Sequence, residues 1–85
     1  MEHFFVYILK CADGTFYTGW TLSLEKRLHE HNKGTASKYT RTRLPVSIVF
    51  SETHASKSDA LKREIAIKKL RRLEKEKLVS QVTNR

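Results

Sequence analysis

One cysteine, one proline and three glycines stand among the 85 residues. A single thiol, Cys11, excludes an intrachain disulfide, and no group of Cys and His has zinc-finger spacing. With so little Gly and Pro, the chain shows no linker and no low-complexity segment. Long apolar runs are missing as well. The longest, Phe4 to Leu9, is far too short to span a bilayer. The N-terminus lacks the charged start and apolar stretch of a signal peptide. A cytoplasmic protein with no membrane contact is expected. Acidic residues are outnumbered, with nine Asp and Glu against seventeen Lys and Arg and a net charge of +8. Such a balance on so small a body favours a polyanion partner, although ribosomal-type and membrane-surface proteins share it. Aromatic and aliphatic residues are plentiful: 39% of the chain is hydrophobic, with four Phe, three Tyr and one Trp spread along nearly its whole length. That spread argues against disorder and for one domain over residues 1–85, its single modest core within about 4–80.

The order of elements follows from local pattern. Phe4 to Lys10 is rich in aromatic, β-branched and aliphatic residues and reads as a strand. Asp13-Gly14 is a strong turn dipeptide, and Thr15 to Thr21 reads as the returning strand. Ser23 can cap a helix starting at Leu24, with Leu24, Leu28 and His31 on one stripe and Gly34 as its stop. Residues 34–44 are polar and basic and form a loop or a short helix. Pro45 opens a third strand, Val46 to Glu52, as a strand's first position allows. A long helix spans Lys57 to Leu70, and a short one covers about Glu74 to Gln81, with frayed residues beyond. The expected fold class is α+β, a three-stranded antiparallel sheet flanked by helices in the order β-β-α-(α)-β-α-α.

Glu64 stands out on physical grounds. At about 100° per residue it lies between Ala60 and Leu61 on one side and Ile67 on the other, inside the apolar stripe of the long helix. A carboxylate there is costly without a partner. A metal ion and a helix ion pair with Lys68 at i+4 are comparable solutions. Arg27 and His31 share a helix face at i,i+4 and flank the Leu24/Leu28 stripe. The bland alternatives are a solvated arginine and a core-edge histidine. His3, His29 and His54 have no comparable context. Lys38, Arg41 and Arg43, with Tyr39 among them, suit a segment that tracks a phosphate backbone and stacks on a base, or else a solvated loop. Lys57 to Lys77 holds nine Lys or Arg against four Asp or Glu. Such a run is either a solvated helix face or a steering surface for a polyanion.

The hairpin reads Val6-Tyr7-Ile8 and, ten positions after Tyr7, Tyr17-Thr18-Gly19. With Arg27, His31, Asn32, Gly34, Lys38-Tyr39-Thr40 and Glu64 further on, the chain resembles the GIY-YIG nuclease family over roughly residues 4–80. It looks most like the small single-domain members. Val6 and Thr18 depart from the letters of the family name. Trp20 stands where several family nucleases carry Lys, and no Asn other than Asn84 follows Glu64. The resemblance implies a metal-dependent endonuclease directed by nucleic-acid structure, with DNA before RNA as substrate. Glu64 would hold one Mg2+ or Mn2+ ion. Arg27, with His31, would stabilise charge on the phosphate. Tyr7 would act as base and Tyr17 as positioner. A free phenol has a pKa of about 10, so neighbouring cations would have to lower it for that duty. Gly19 would allow close approach of backbone or phosphate. A protein partner could supply targeting. The competing class is a non-catalytic nucleic-acid-binding module or an accessory subunit. If Tyr7 and Tyr17 act together, the turn between their strands needs an odd number of residues or the ladder needs a bulge.

Overall fold

Seven elements follow one another: β1 (Phe4–Lys10), β2 (Phe16–Thr21), α1 (Leu24–Asn32), α2 (Lys38–Arg41), β3 (Ser47–His54), α3 (Lys57–Lys68) and α4 (Arg72–Thr83). They are seen in a computed structural model that describes residues 3–83; Asn84 lies outside that range. The strands form one antiparallel sheet in the order β2-β1-β3. The central strand is buried on both faces, and this explains why Val6 to Leu9 is apolar throughout rather than alternating. Val6 and Ile8 face one way and pack with Phe50, Ala60 and Ile67, with Leu78 and Val79 of α4 closing the same layer. Tyr7 and Leu9 face the other way and pack with Cys11 and Val46, under Leu24 and Leu28 of α1. The α+β class expected from the sequence is therefore the one observed.

The β1–β2 turn is closed by its own hydrogen bonds. Cys11 N–H donates to the Thr15 carbonyl at 2.8 Å, and Gly14 N–H donates to Cys11 at 2.9 Å. Gly14 sits at φ +86, where a side chain would be strained. Asp13 Oδ1 accepts from both the amide and the hydroxyl of Thr15. Thr15 thus closes the turn, and β2 starts one residue later than the sequence suggests. Five residues, 11–15, separate the strands, and Tyr7 pairs with Gly19 while Leu9 pairs with Tyr17. Tyr7 and Tyr17 therefore share a face, by way of the odd turn. The bulge at Ile8/Leu9 lies on the β3 side of β1 and leaves this hairpin register untouched.

Serines start three helices. Ser23, Ser37 and Ser56 each accept a backbone N–H from the first turn of the helix that follows. Ser37 makes the polar 34–44 stretch a one-turn helix rather than a plain loop. The third strand begins at Ser47 and runs to His54, later at both ends than the pattern predicts. Val46 is held off the ladder by Asn32, whose side chain donates to the Val46 carbonyl at 3.1 Å and accepts its N–H at 2.8 Å. The last helix is longer than the short one expected. It starts at Arg72, two residues before the Glu74 of the sequence reading, with Glu74 accepting the Arg71 N–H at 3.0 Å. No helix is long and apolar enough to cross a membrane among the described residues.

Candidate active site

The site grows from the pairing of Tyr7 with Gly19. A Cβ built on Gly19 would lie 2.6 Å from the phenol oxygen and 2.8 Å from the ring carbon that bears it. Any other residue would displace the phenol, so the glycine is required for space and not for φ. The group that approaches Gly19 closely is thus the Tyr7 ring, where the sequence suggested backbone or phosphate.

Helix α1 brings two side chains to the phenol. Tyr7 Oη lies 2.9 Å from His31 Nε2, and His31 Nδ1 lies 2.8 Å from Thr40 Oγ1. Tyr7 is 2% exposed, and His31 and Thr40 are fully buried. Burial pushes the His31 pKa down to about 4, with the charge of Arg27 acting in the same direction. The imidazole is therefore neutral at physiological pH. Burial also raises the Tyr7 pKa, against the opposing pull of Arg27, while Tyr17 and Glu64 push it up further. The sequence reading required neighbouring cations to lower this phenol; here desolvation outweighs the one cation beside it. Arg27 is held in its charged form chiefly by Tyr7. Its Nη1 donates to Glu30 at 3.3 Å, while its Nε is buried without a hydrogen-bond acceptor. A buried donor without an acceptor is costly, and an anionic oxygen that reached it would satisfy it.

Glu64 comes from α3, on the other face of the sheet. Its side chain is 15% exposed, between the fully buried Ala60 and Ile67, and its Oε2 lies 3.5 Å from Lys68 Nζ. The ion pair with Lys68 expected from the i,i+4 spacing is present, and the carboxylate lies in the apolar stripe as its position predicts. Its charge bears on Tyr7 from this position. A cleft of about 500 Å³ opens beside the corner, lined by Trp20, Ser23, Lys26, Arg27 and Glu30 among others. Of the five expected catalytic residues, Arg27 alone lines this cleft. Tyr7 and His31 lie buried in the core.

Tyr17 stands further off. Its ring meets His31 edge-on at 5.2 Å and stacks on Tyr39 at 6.0 Å. It packs against the imidazole. Arg43 lies 3.9 Å over the Tyr39 ring, pairs with Asp13 at 3.0 Å and donates to the Tyr39 carbonyl. Tyr39 and Arg43 are thus tied into a clamp between α2 and the hairpin turn. Lys38 and Arg41 are exposed on α2, and neither is in an ion pair among the described residues. Two contributors entered the sequence reading only as part of the family resemblance, with no role assigned. Thr40 is a buried hydroxyl in a polar stretch, and Asn32 is the clamp on Val46.

Residues 3–77 match the GIY-YIG catalytic domain. The chain belongs to the GIY-YIG family. A UPF0213 protein of Syntrophus aciditrophicus is 52% identical over 82 residues, spanning 95% of this chain and 94% of the relative. A UPF0213 protein of Halobacterium salinarum is 49% identical over 78 residues, spanning 92% and 99%. The solution NMR structure of the UPF0213 protein BH0048 from Bacillus halodurans superposes with a TM-score of 0.61 at 42% identity, covering 93% of this chain and 84% of that one. These relatives are small single-domain members of the family, and their fold agrees with the three-stranded sheet and its helices. Nucleic-acid processing is the general business of GIY-YIG domains, usually with a divalent metal.

Proposed function

We propose that this chain is a divalent-metal-dependent endonuclease that hydrolyses nucleic-acid phosphodiester bonds, directed by substrate shape rather than by sequence, with DNA as the first substrate to try. The observation that carries this reading is the corner at Gly19. There a buried phenol lies beside an arginine with an unused buried donor, and the charge of the largely buried Glu64 carboxylate, from α3 on the other face of the sheet, acts on the phenol.

The charge of Glu64 acts on Tyr7. A single hard oxygen donor, with other positions left to water and phosphate, fits Mg2+ or Mn2+. A cage of three or more Cys, His, Asp or Glu does not gather among the described residues. When bound, such an ion supplies positive charge to the phosphate and to the leaving oxygen. Once substrate opens the corner, Arg27 Nε, buried in the free protein, donates with the rest of its fork to a non-bridging phosphate oxygen as negative charge builds there. Tyr7 Oη accepts a proton from the attacking water while its own proton passes to His31 Nε2. The new imidazolium keeps its Nδ1–H on Thr40. In the free protein that cation would be unfavourable; the negative charge of the bound phosphate offsets part of the cost. The phenol is 2% exposed, so substrate binding has to open this corner before water reaches it. Tyr17 holds the imidazole edge, and Lys38 and Arg41 offer charge to flanking phosphates.

The Glu64–Lys68 pair favours a second reading, because it satisfies the carboxylate without any metal. A binding module would need nothing more. One substitution separates the two. Glu64→Gln should reduce cleavage of branched, single- or double-stranded substrates by roughly 100-fold or more in Mg2+ or Mn2+, with EDTA abolishing wild-type cleavage. Binding should survive, and stability should change by only a few tenths of a kcal/mol. Wild-type rates from a nuclease-free Glu64→Gln preparation would overturn the assignment of the carboxylate. A wild-type protein that binds but cuts nothing in either metal would make it a binding module.

A further inference from the structure

The buried chain Tyr7–His31–Thr40 has a direction, and that direction can be read from its ends. Arg27, the cation beside the phenol, has only donors to offer. The phenol proton therefore has no acceptor on that side, and His31 Nε2 at 2.9 Å is its partner. At the other end, the Thr40 hydroxyl donates to the Ser37 carbonyl at 3.4 Å inside the single turn of α2. A hydroxyl has one proton, so Thr40 Oγ1 is left to accept from His31 Nδ1 at 2.8 Å. Both ends require the same imidazole: Nδ1–H protonated, Nε2 bare. The opposite arrangement would have Nε2–H donate to Tyr7 and would strand the phenol proton against a guanidinium. No other polar side chain contacts the His31 nitrogens among the described residues.

We propose that Thr40 is a positioning residue that fixes the Nδ1–H tautomer of His31, so that Nε2 is open to take the Tyr7 proton. This rests on reading Tyr7 as the general base. It also gives the shortest helix of the fold a purpose. Ser37 caps α2 by accepting from Tyr39 and Thr40 N–H, and that turn delivers a fully buried hydroxyl to the imidazole. A tautomer set by the partner of the other ring nitrogen is a general property of histidine. Here the partner comes from a segment whose composition is otherwise that of a solvated loop.

The test uses the whole chain labelled with 15N in its histidine rings, with His31→Gln to assign the His31 signals. At pH 7, long-range 15N–1H correlation should show His31 of the wild type with a protonated Nδ1 and a bare Nε2. Thr40→Ser should keep that pattern. Thr40→Val, which fills the space but cannot accept, should shift His31 toward the Nε2–H form. In cleavage, Thr40→Val should lose roughly 10–100-fold in kcat with KM little changed, and Thr40→Ser should recover most of it. A wild-type His31 already in the Nε2–H form would overturn the proposal, as would a Thr40→Val protein with its tautomer unchanged. If Thr40→Val does not fold, the wild-type and Thr40→Ser spectra decide the point alone. A wild type with the expected tautomer but no cleavage in any metal would overturn the general-base role on which the proposal rests, and the tautomer assignment would remain.

Discussion

Three residues form the centre of this protein, and each is costly by itself. A buried phenol, a buried imidazole and a buried hydroxyl are tolerable because each satisfies the next. Their linkage to pH follows from His31. Its folded pKa, about 4, lies below its ordinary value of 6.5. The unfolded chain binds the proton more readily, so the stability due to a neutral His31 is complete above about 6.5 and is lost as pH falls toward 4. The loss is about 3 kcal/mol, a large part of what so small a domain has to spare. Urea denaturation at pH 7 and at pH 4 should show it, and the His31→Gln protein should show a markedly smaller difference between the two pH values. Equal pH dependence in both proteins would mean that His31 is not the group responsible. Asp13 also titrates in the acid range, its pKa held down by its hydrogen bonds to Thr15. It remains in the His31→Gln protein and so serves as the internal control.

At the level of elements, the fold depends on how α1 is joined to β3. The last residue of α1, Asn32, makes two hydrogen bonds to the backbone of Val46, which is 5% exposed. This fixes where the third strand begins and seats α1 over the face that carries Tyr7. Asn32→Ala leaves a buried N–H and a buried carbonyl unpaired, which costs about 1–3 kcal/mol. For a domain of this size, thermal unfolding should move down by roughly 5–15 °C. A shift of less than 2 °C would show that water replaces the amide at no cost. On the other side of the sheet, α4 is tied to the hairpin turn by Arg72. It stacks 4.2 Å over Phe16 and donates to the Gly14 carbonyl. The basic α3–α4 run is thus partly structural: Arg63 pairs with Glu52, Lys68 with Glu64 and Arg72 with Glu76.

For the molecule as a whole, the cations left over matter most. Lys62, Lys69, Arg71 and Lys77 on the α3–α4 side, and Lys38 and Arg41 on α2, are exposed and outside the ion pairs among the described residues. They flank the sheet from both layers. If about four of them meet phosphates of duplex DNA, log Kobs should fall with log salt at a slope of about −3.6. That is a loss of roughly 100-fold between 50 and 200 mM salt. Fluorescence anisotropy with a labelled duplex of arbitrary sequence measures it directly. A flat salt response would remove the polyanion from the proposal. A Lys69→Gln/Arg71→Gln protein should have a shallower slope by about 1–2 if the elbow between α3 and α4 takes part.

What the sequence determined by itself was local. Local pattern placed every element but α2 to within a few residues, because alternation and the 3.6 period are written position by position. Ser23 marked the start of α1 because a cap is a local signal too. The stripe position of Glu64 was legible from Ala60 and Ile67, whereas the odd turn that lets Tyr7 and Tyr17 share a face appeared only when Thr15 joined the turn. What the tertiary structure alone decided was long-range or depended on burial. The Gly19 gap belongs to Tyr7, twelve positions earlier, and is visible only once the strands are in register. The raised phenol and the lowered imidazole follow from desolvation, a property of surroundings that no single segment carries. Thr40 lies in a stretch that reads as solvated, and it is fully buried because Ser37 turns the chain and His31 meets it from a different helix. Arg43 and Tyr39 read as free basic and aromatic surface, yet Asp13 and Tyr17 hold them from thirty and twenty-two residues away. Partners that distant are chosen by packing, after the local elements have formed.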